Sequence, residues 1–266
     1  MLKIDDVHVR TPGGEILKGF SLEVPAGAVV GLTGRSGAGK TTLIRAILGF
    51  LNRDCALNAG SIQLDGRELT RLRPKERRAL CGTTIGYIPQ SPMTAFDPRV
   101  RIGSQMEETL RLRLGLSGAD SRRRALEALE LVNLPDGARV LESAPSQLSG
   151  GMLQRVALAL LLAMEPKYIL ADEPTSALDI ENRDLLLELL RQRCSQAGIL
   201  FISHDVEAME TLCETVVVLD DGRAVEQGTM GELLEHPRQP WTRAYAESWR
   251  KRGKEGWKWT ELSRTT

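Results

Sequence analysis

Gly34-Arg35-Ser36-Gly37-Ala38-Gly39-Lys40-Thr41 combines glycines, a lysine and a hydroxyl in the pattern of a phosphate-binding loop. Glycine lets the backbone curl until successive N–H groups converge on one anion, and the dipole of a following helix adds to their field. Lys40 is then placed for the β- and γ-phosphates of a nucleoside triphosphate, and the Thr41 hydroxyl for Mg²⁺. Much further along, the apolar run Tyr168–Ala171 ends in Asp172-Glu173. The first carboxylate can hold the metal's shell, while the second can orient and deprotonate a water. Leu148-Ser149-Gly150-Gly151-Met152-Leu153-Gln154 offers a hydroxyl and glycine N–H groups at the start of another helical stretch, Arg155–Met164. One chain's loop already holds the triphosphate, so a second phosphate reader makes most sense when offered to another subunit.

These residues need rigid elements behind them. Ala28–Leu32 is a continuous apolar run, as expected for a strand buried on both faces, and it leads into the loop. Thr41–Phe50 has helical spacing through Leu43, Ile44, Ile47 and Leu48, with Gly49 as an end signal. Before them, Leu2, Ile4 and Val9, then Phe20, Leu22 and Val24, alternate as strands around a turn at Pro12-Gly13-Gly14. From about Pro92 to Met164 the period becomes helical. Ser104–Leu114 and Ser121–Leu134 are the clearest segments there, the second with a core of Leu126, Leu129 and Val132/Asn133 and an end before Pro135. Strand patterns return at Tyr168–Ala171, Ile199–Ser203 and Thr215–Leu219, and Asp221-Gly222 predicts a hairpin to Ala224–Gln227. Strands alternating with helices predict a largely parallel α/β sheet with a helical lobe inserted into it.

Composition sets bounds on function. With 42% hydrophobic and 26% charged residues, the 266-residue chain reads as a globular protein. Thirty-five basic residues balance thirty-five acidic ones, so no global field attracts nucleic acid. The longest apolar run, Val156–Met164, is about half of the roughly 18 residues that a membrane span requires. The N-terminus carries no charged leader with a cleavage site, and a cytoplasmic protein is expected. Cys55, Cys81, Cys194 and Cys213 have no paired spacing, and His8, His204 and His236 do not sit at metal-ligand intervals. Reduced thiols are expected.

Together these motifs resemble the ABC ATPase family along essentially all of residues 1–235. Leu148–Gln154, with Leu148, Ser149, Gly150, Gly151 and Gln154 as its contacting residues, is similar to the family's signature motif, which acts in trans on ATP held by another cassette. Gly34 to Thr41, with Thr42, resembles its ATP-binding loop, and Asp172-Glu173 its Walker B end with the catalytic glutamate. Ser176-Ala177-Leu178-Asp179 is similar to the D-loop, which communicates across the dimer. Gln90 resembles the Q-loop glutamine, which touches metal and water, and His204 the switch histidine at the γ-phosphate. The resemblance thus implies Glu173, His204 and Gln90 as catalytic, and Thr41, Gln90 and Asp172 as the Mg²⁺ set. It also implies a P-loop NTPase cassette with a mostly parallel sheet core, an antiparallel β subdomain and a helical subdomain over about 92–164. The family usually stacks an aromatic residue on adenine in the first strand region. His8-Val9-Arg10 contains none, so either Arg10 or His8 stacks instead or the purine contact is weaker.

The partners implied are two transmembrane permease subunits, a second cassette (a related subunit or this one) and, through the permeases, an extracytoplasmic solute-binding protein. No nucleic acid is expected, and the chain belongs peripherally on the cytoplasmic face of the cell membrane. A soluble ABC ATPase acting on the ribosome or nucleic acid is the alternative. Only 58 positions separate Gln90 from Leu148, too few for the long coiled-coil insertion of repair-type members. Gln90–Pro98 and Glu235–Arg243 are similar to the oligopeptide/dipeptide/nickel importer cassettes, and Ala138–Leu141 leading to Ser149–Arg155 looks most like the nickel type. The expected cargo is nickel, a metal chelate or a small peptide. Residues 236–266 form a C-terminal extension holding all four tryptophans, Trp241, Trp249, Trp257 and Trp259. Trp241, Tyr245 and Trp249 share one helical face, which predicts an amphipathic helix packed on its own domain, with a partner contact as the other reading.

Overall fold

The two kinds of apolar pattern become two kinds of sheet in the computed structural model, which describes residues 1–176, 178–193 and 195–252. Two compact units divide the chain: Met1–Ala79 with Gly198–Thr266, and Leu80–Ala197. The first segment contributes β1 (Leu2–Thr11), β2 (Gly14–Val24), β3 (Val29–Gly34), α1 (Lys40–Leu48), β4 (Ala56–Leu64), β5 (Arg67–Glu68) and α2 (Pro74–Leu80). Strands β2, β1, β4 and β5 form an antiparallel sheet in that order. In β1, Leu2 and Ile4 are buried, but so are Val7 and Val9, which strict alternation would expose. A bulge reconciles them: Asp6 adopts φ 48° and the register with both neighbours slips there. On β4, Gly60 faces that bulge at φ 90°, and a Cβ would lie 2.3 Å from the Asp6 carbonyl oxygen. Helix α1 buries Leu43, Ile44, Ile47 and Leu48 as its spacing predicts, and ends on left-handed Gly49. Arg77 then donates to the Ile47 carbonyl from Nε (3.2 Å) and Nη2 (2.9 Å), satisfying an orphan acceptor at the helix end.

The second unit carries β6 (Ile85–Ile88), α3 (Ile102–Leu114), α4 (Gly118–Leu131), α5 (Gly137–Glu142), α6 (Gly150–Met164), β7 (Tyr168–Asp172) and α7 (Ile180–Arg193). Strands β6 and β7 run parallel, from Ile85 opposite Tyr168 to Ile88 opposite Ala171. The expected helical lobe is present, although it opens with a 3₁₀ turn at Pro92–Thr94. Helix α4 departs from the sequence reading. It starts earlier, where Ser117 Oγ accepts from the Asp120 N–H, and its buried face is Ser121, Ala125, Ala128 and Leu129. Leu126 is only half-buried, against Gly137 of α5, and Asn133 is exposed. The helix stops before Pro135 can act. Asn133 turns left-handed (φ 55°) and the Leu134 N–H bonds back to the Leu129 carbonyl at 3.0 Å, a Schellman closure.

The chain returns to the first unit with β8 (Gly198–Ile202), α8 (Val206–Leu212), β9 (Thr215–Asp220), β10 (Arg223–Gly228), α9 (Met230–Glu235) and α10 (Pro240–Arg252). β3 pairs in parallel with β8 on one side and β9 on the other, which is why its apolar run is continuous. The Asp221-Gly222 hairpin forms with both residues at positive φ, 43° and 76°. No helix among the described residues is long and apolar enough to cross a membrane.

Candidate nucleotide site

Strand β3 delivers Gly34 to a position that only glycine can occupy. Its φ is 147°, and a Cβ would lie 1.9 Å from the Leu219 carbonyl oxygen on β9. Gly37 (φ 80°) and Gly39 (φ 113°) continue the curl, and Gly39 caps α1 without a side chain to occupy the first-turn N–H groups. That turn has no acidic residue, so its partial positive charge stays available to an anion. Lys40 is buried, and its ammonium donates to the carbonyl oxygens of Gly34 (2.7 Å) and Arg35 (3.0 Å). Arg35, Ser36 and Thr41 are exposed, Ala38 is buried and Thr42 half-buried.

His204 follows β8 in the same unit and is 9% exposed. Burial, followed by the nearby positive charge of Lys40, pushes its imidazole pKa down to about 3. The ring is therefore neutral at physiological pH and acts as a hydrogen-bonding group rather than a cation. A cavity of about 410 Å³ adjoins α1, lined by Thr11, Pro12, Ile16, Thr42, Arg45 and Asn52, among others. Neither His8 nor Arg10 lines it. His8 Nδ1 is 2.8 Å from Glu15 Oε1 and its Nε2 3.3 Å from Asp6 Oδ1, which ties the ring to its own sheet. Thr11 and Pro12, at the Pro12-Gly13-Gly14 turn, form part of its wall.

The second unit holds the remaining motif residues. Every residue of β7 is buried, and its last, Asp172, is 3% exposed. Glu173 leaves the strand in a left-handed conformation, φ 50°, uncommon for a side-chain-bearing residue and typical of functional turns. Its carbonyl accepts from the Ser176 N–H (3.2 Å) and Oγ (2.9 Å), fixing the turn. Gln154, buried on α6, donates to the Pro174 carbonyl at 3.2 Å, so the signature helix and the loop after Glu173 are physically linked. Asp179 caps α7 by accepting from the Asn182 N–H at 2.9 Å, and those bonds hold its carboxyl below the usual range. Leu178 N–H bonds to the Thr175 carbonyl, whereas Ala177 lies outside the described residues. Ser149 caps α6, its Oγ accepting from the Met152 N–H at 3.2 Å. It and Gly150 are exposed, and a Cβ added to Gly150 would meet nothing within 4 Å. Leu148 is buried beneath them, Gly151 is half-buried, and Gln90 is exposed just after β6.

A family model described as ABC transporter matches residues 17–176, more than half of the sequence. The chain belongs to the ABC transporter family. It is an ATP-binding cassette with ATPase activity, the energy-coupling part of such a system. Similar proteins include a probable D,D-dipeptide transport ATP-binding protein of Escherichia coli, 37% identical over 91% of this chain and 76% of its own length. A dipeptide transport ATP-binding protein of Haemophilus influenzae is 36% identical over 86% of this chain and 70% of that one. An oligopeptide transport ATP-binding protein of Bacillus subtilis is 34% identical over 91% and 70%. Among solved structures, a dimeric cassette in a post-hydrolysis state with ADP and Pi matches with a TM-score of 0.76 and 28% identity, over 86% of this chain and 99% of that one. The cassette thus has transport subunits as relatives, which supports the importer reading and gives none to a ribosome or nucleic-acid factor. The three relatives are named for peptides, not for nickel.

Proposed function

We propose that this cassette powers uptake of short peptides through two separate membrane permeases. Its partner is a second cassette, either a copy of itself or a related subunit, and the permeases receive cargo from an extracytoplasmic binding protein. The chain sits peripherally at the cytoplasmic face of the membrane, with residues 1–235 as the cassette, about 92–164 as its helical subdomain and 236–266 as an extension. In this reading two cassettes close head-to-tail, so that each ATP lies between Gly34–Thr42 of one and Leu148–Gln154 of the other. The exposed, unobstructed start of α6 at Ser149-Gly150 carries that reading, because a phosphate held by another molecule can approach it.

On ATP arrival Lys40 exchanges the Gly34 and Arg35 carbonyls for the β- and γ-phosphates. The neutral His204 ring hydrogen-bonds the γ-phosphate, and Glu173 orients the attacking water and takes its proton. Ser176, Ala177, Leu178 and Asp179 pass the closed state across the pair. The family resemblance assigns Mg²⁺ to the Thr41 hydroxyl, the Gln90 amide and the Asp172 carboxylate, oxygen donors of the kind an ion sharing its shell with substrate phosphates would take. Bound there, the ion would neutralise charge on the phosphate oxygens. Closure expels water, and hydrolysis resets the pair.

The cargo is tested by deleting this chain from its host and measuring uptake of labelled dipeptides and of nickel. Peptide uptake is expected to fall at least tenfold and to return with the wild-type chain. Loss of nickel uptake with peptide uptake intact would overturn the assignment.

A further inference from the structure

The C-terminal helix reaches back to the switch histidine. On α10, Trp241 and Tyr245 are buried (6% and 2% exposed) and their rings stack, with centroids 5.0 Å apart and planes inclined by 17°. The Tyr245 hydroxyl donates to the backbone carbonyl oxygen of His204 at 3.0 Å. That carbonyl belongs to the same peptide unit as the Asp205 N–H, which donates to Ser203 Oγ at 3.0 Å. Side chains therefore grip both edges of the peptide plane that follows His204. The plane lies in the short link between β8 and α8, where no strand ladder fixes its rotation. Loosening either bond would let the His204 main chain shift, and a displaced Cα carries the imidazole with it.

The helix that supplies this grip is itself anchored. Glu226 of β10 accepts from the backbone N–H groups of Arg238 (2.8 Å) and Gln239 (3.1 Å) at the start of α10. Near its other end, Arg250 Nη2 donates to the Leu234 carbonyl oxygen at 2.5 Å. A helix tied at both ends can hold a single phenol to within hydrogen-bond tolerance.

We propose that Tyr245 is a positioning residue for ATP hydrolysis, its hydroxyl fixing the His204–Asp205 peptide plane and with it the His204 ring. The proposal rests on the reading of His204 as the γ-phosphate contact. It also gives the extension beyond residue 235 a direct mechanical route to the hydrolytic site.

The test compares Tyr245→Phe, Ser203→Ala and His204→Ala in the full chain, reading kcat and KM for ATP, nucleotide affinity by fluorescence and Tm. Tyr245→Phe keeps the ring stack and removes only the hydroxyl. It should lower kcat about tenfold, the scale of one buried hydrogen bond, with nucleotide affinity unchanged. Ser203→Ala, which releases the opposite edge of the same plane, should do likewise and stands in should Tyr245→Phe not fold. Added to His204→Ala, the Tyr245→Phe change should lower the residual rate no further. A merely structural phenol predicts loss of Tm with unaltered kcat, or an equal further loss in the His204→Ala background, and either overturns the proposal. If His204→Ala leaves hydrolysis intact, the reading of His204 falls; if it abolishes hydrolysis while Tyr245→Phe is silent, only the positioning role does.

Discussion

The two helix N-termini offered to phosphate, those of α1 and α6, are built in opposite ways. At α1 the backbone makes the site: three glycines at positive φ, a cap without a side chain and a buried lysine folded into the loop's own carbonyls. At α6 a side chain makes the cap, Ser149 and Gly150 are exposed, and the space beside Gly150 is open. In the proposed reading the first holds the nucleotide of its own chain, whereas the second meets one brought by another molecule. The difference teaches that a phosphate-reading helix start can be built from backbone alone or around a capping side chain, with close packing at Gly34 and open space at Gly150.

The comparison breaks first on glycine. Gly34→Ala forces a Cβ to within 1.9 Å of the Leu219 carbonyl and should abolish soluble, folded protein or lower Tm by more than 10 °C. Gly150→Ala meets nothing, and thermal unfolding should shift by no more than a few degrees. Equal shifts would show that the two loops are not crowded differently. Next in size is Glu173→Gln, which keeps the left-handed turn but removes the base. Hydrolysis should fall by about 10²- to 10⁴-fold while ATP affinity measured by calorimetry stays put. A near-normal rate would take the glutamate out of the chemistry. The smallest effect sharpens the contrast. Ser149→Ala removes the α6 cap and should cost about 1 kcal/mol in denaturant unfolding, with ATP affinity of the isolated chain unaltered, since the α1 loop holds the nucleotide alone.

Features shaped by contiguous residues were legible without coordinates. The loop after β3, the paired carboxylates at the end of β7 and the Asp221-Gly222 hairpin all depend on local backbone geometry, which local sequence encodes. The hidden features depend on contacts distant in sequence. Val7 is buried only because Asp6 bulges against Gly60, so simple alternation misreads the strand between them. Leu126 is apolar and in helical register, yet α4 turns Ala125, Ala128 and Leu129 inward and leaves Leu126 half-buried against Gly137 of α5. The cavity wall at Thr11 and Pro12 becomes a wall only when α1 lies beside it. Tyr245 read as one residue of an apolar stripe, and its bond to the His204 carbonyl spans 41 positions. The extension's expected packing on its own unit is seen for Trp241 and Tyr245, while Trp257 and Trp259 lie outside the described residues.

The folded-back Lys40 has a consequence for how this cassette chooses what it holds. Because the ammonium is already solvated by two main-chain oxygens, an incoming anion must displace a ligand set rather than fill a void. A polyphosphate chain, which can engage lysine, loop amides and helix end together, offsets the loss of both carbonyls better than a lone phosphate or sulfate can. The protein's own backbone thereby competes for the lysine with whatever anion arrives.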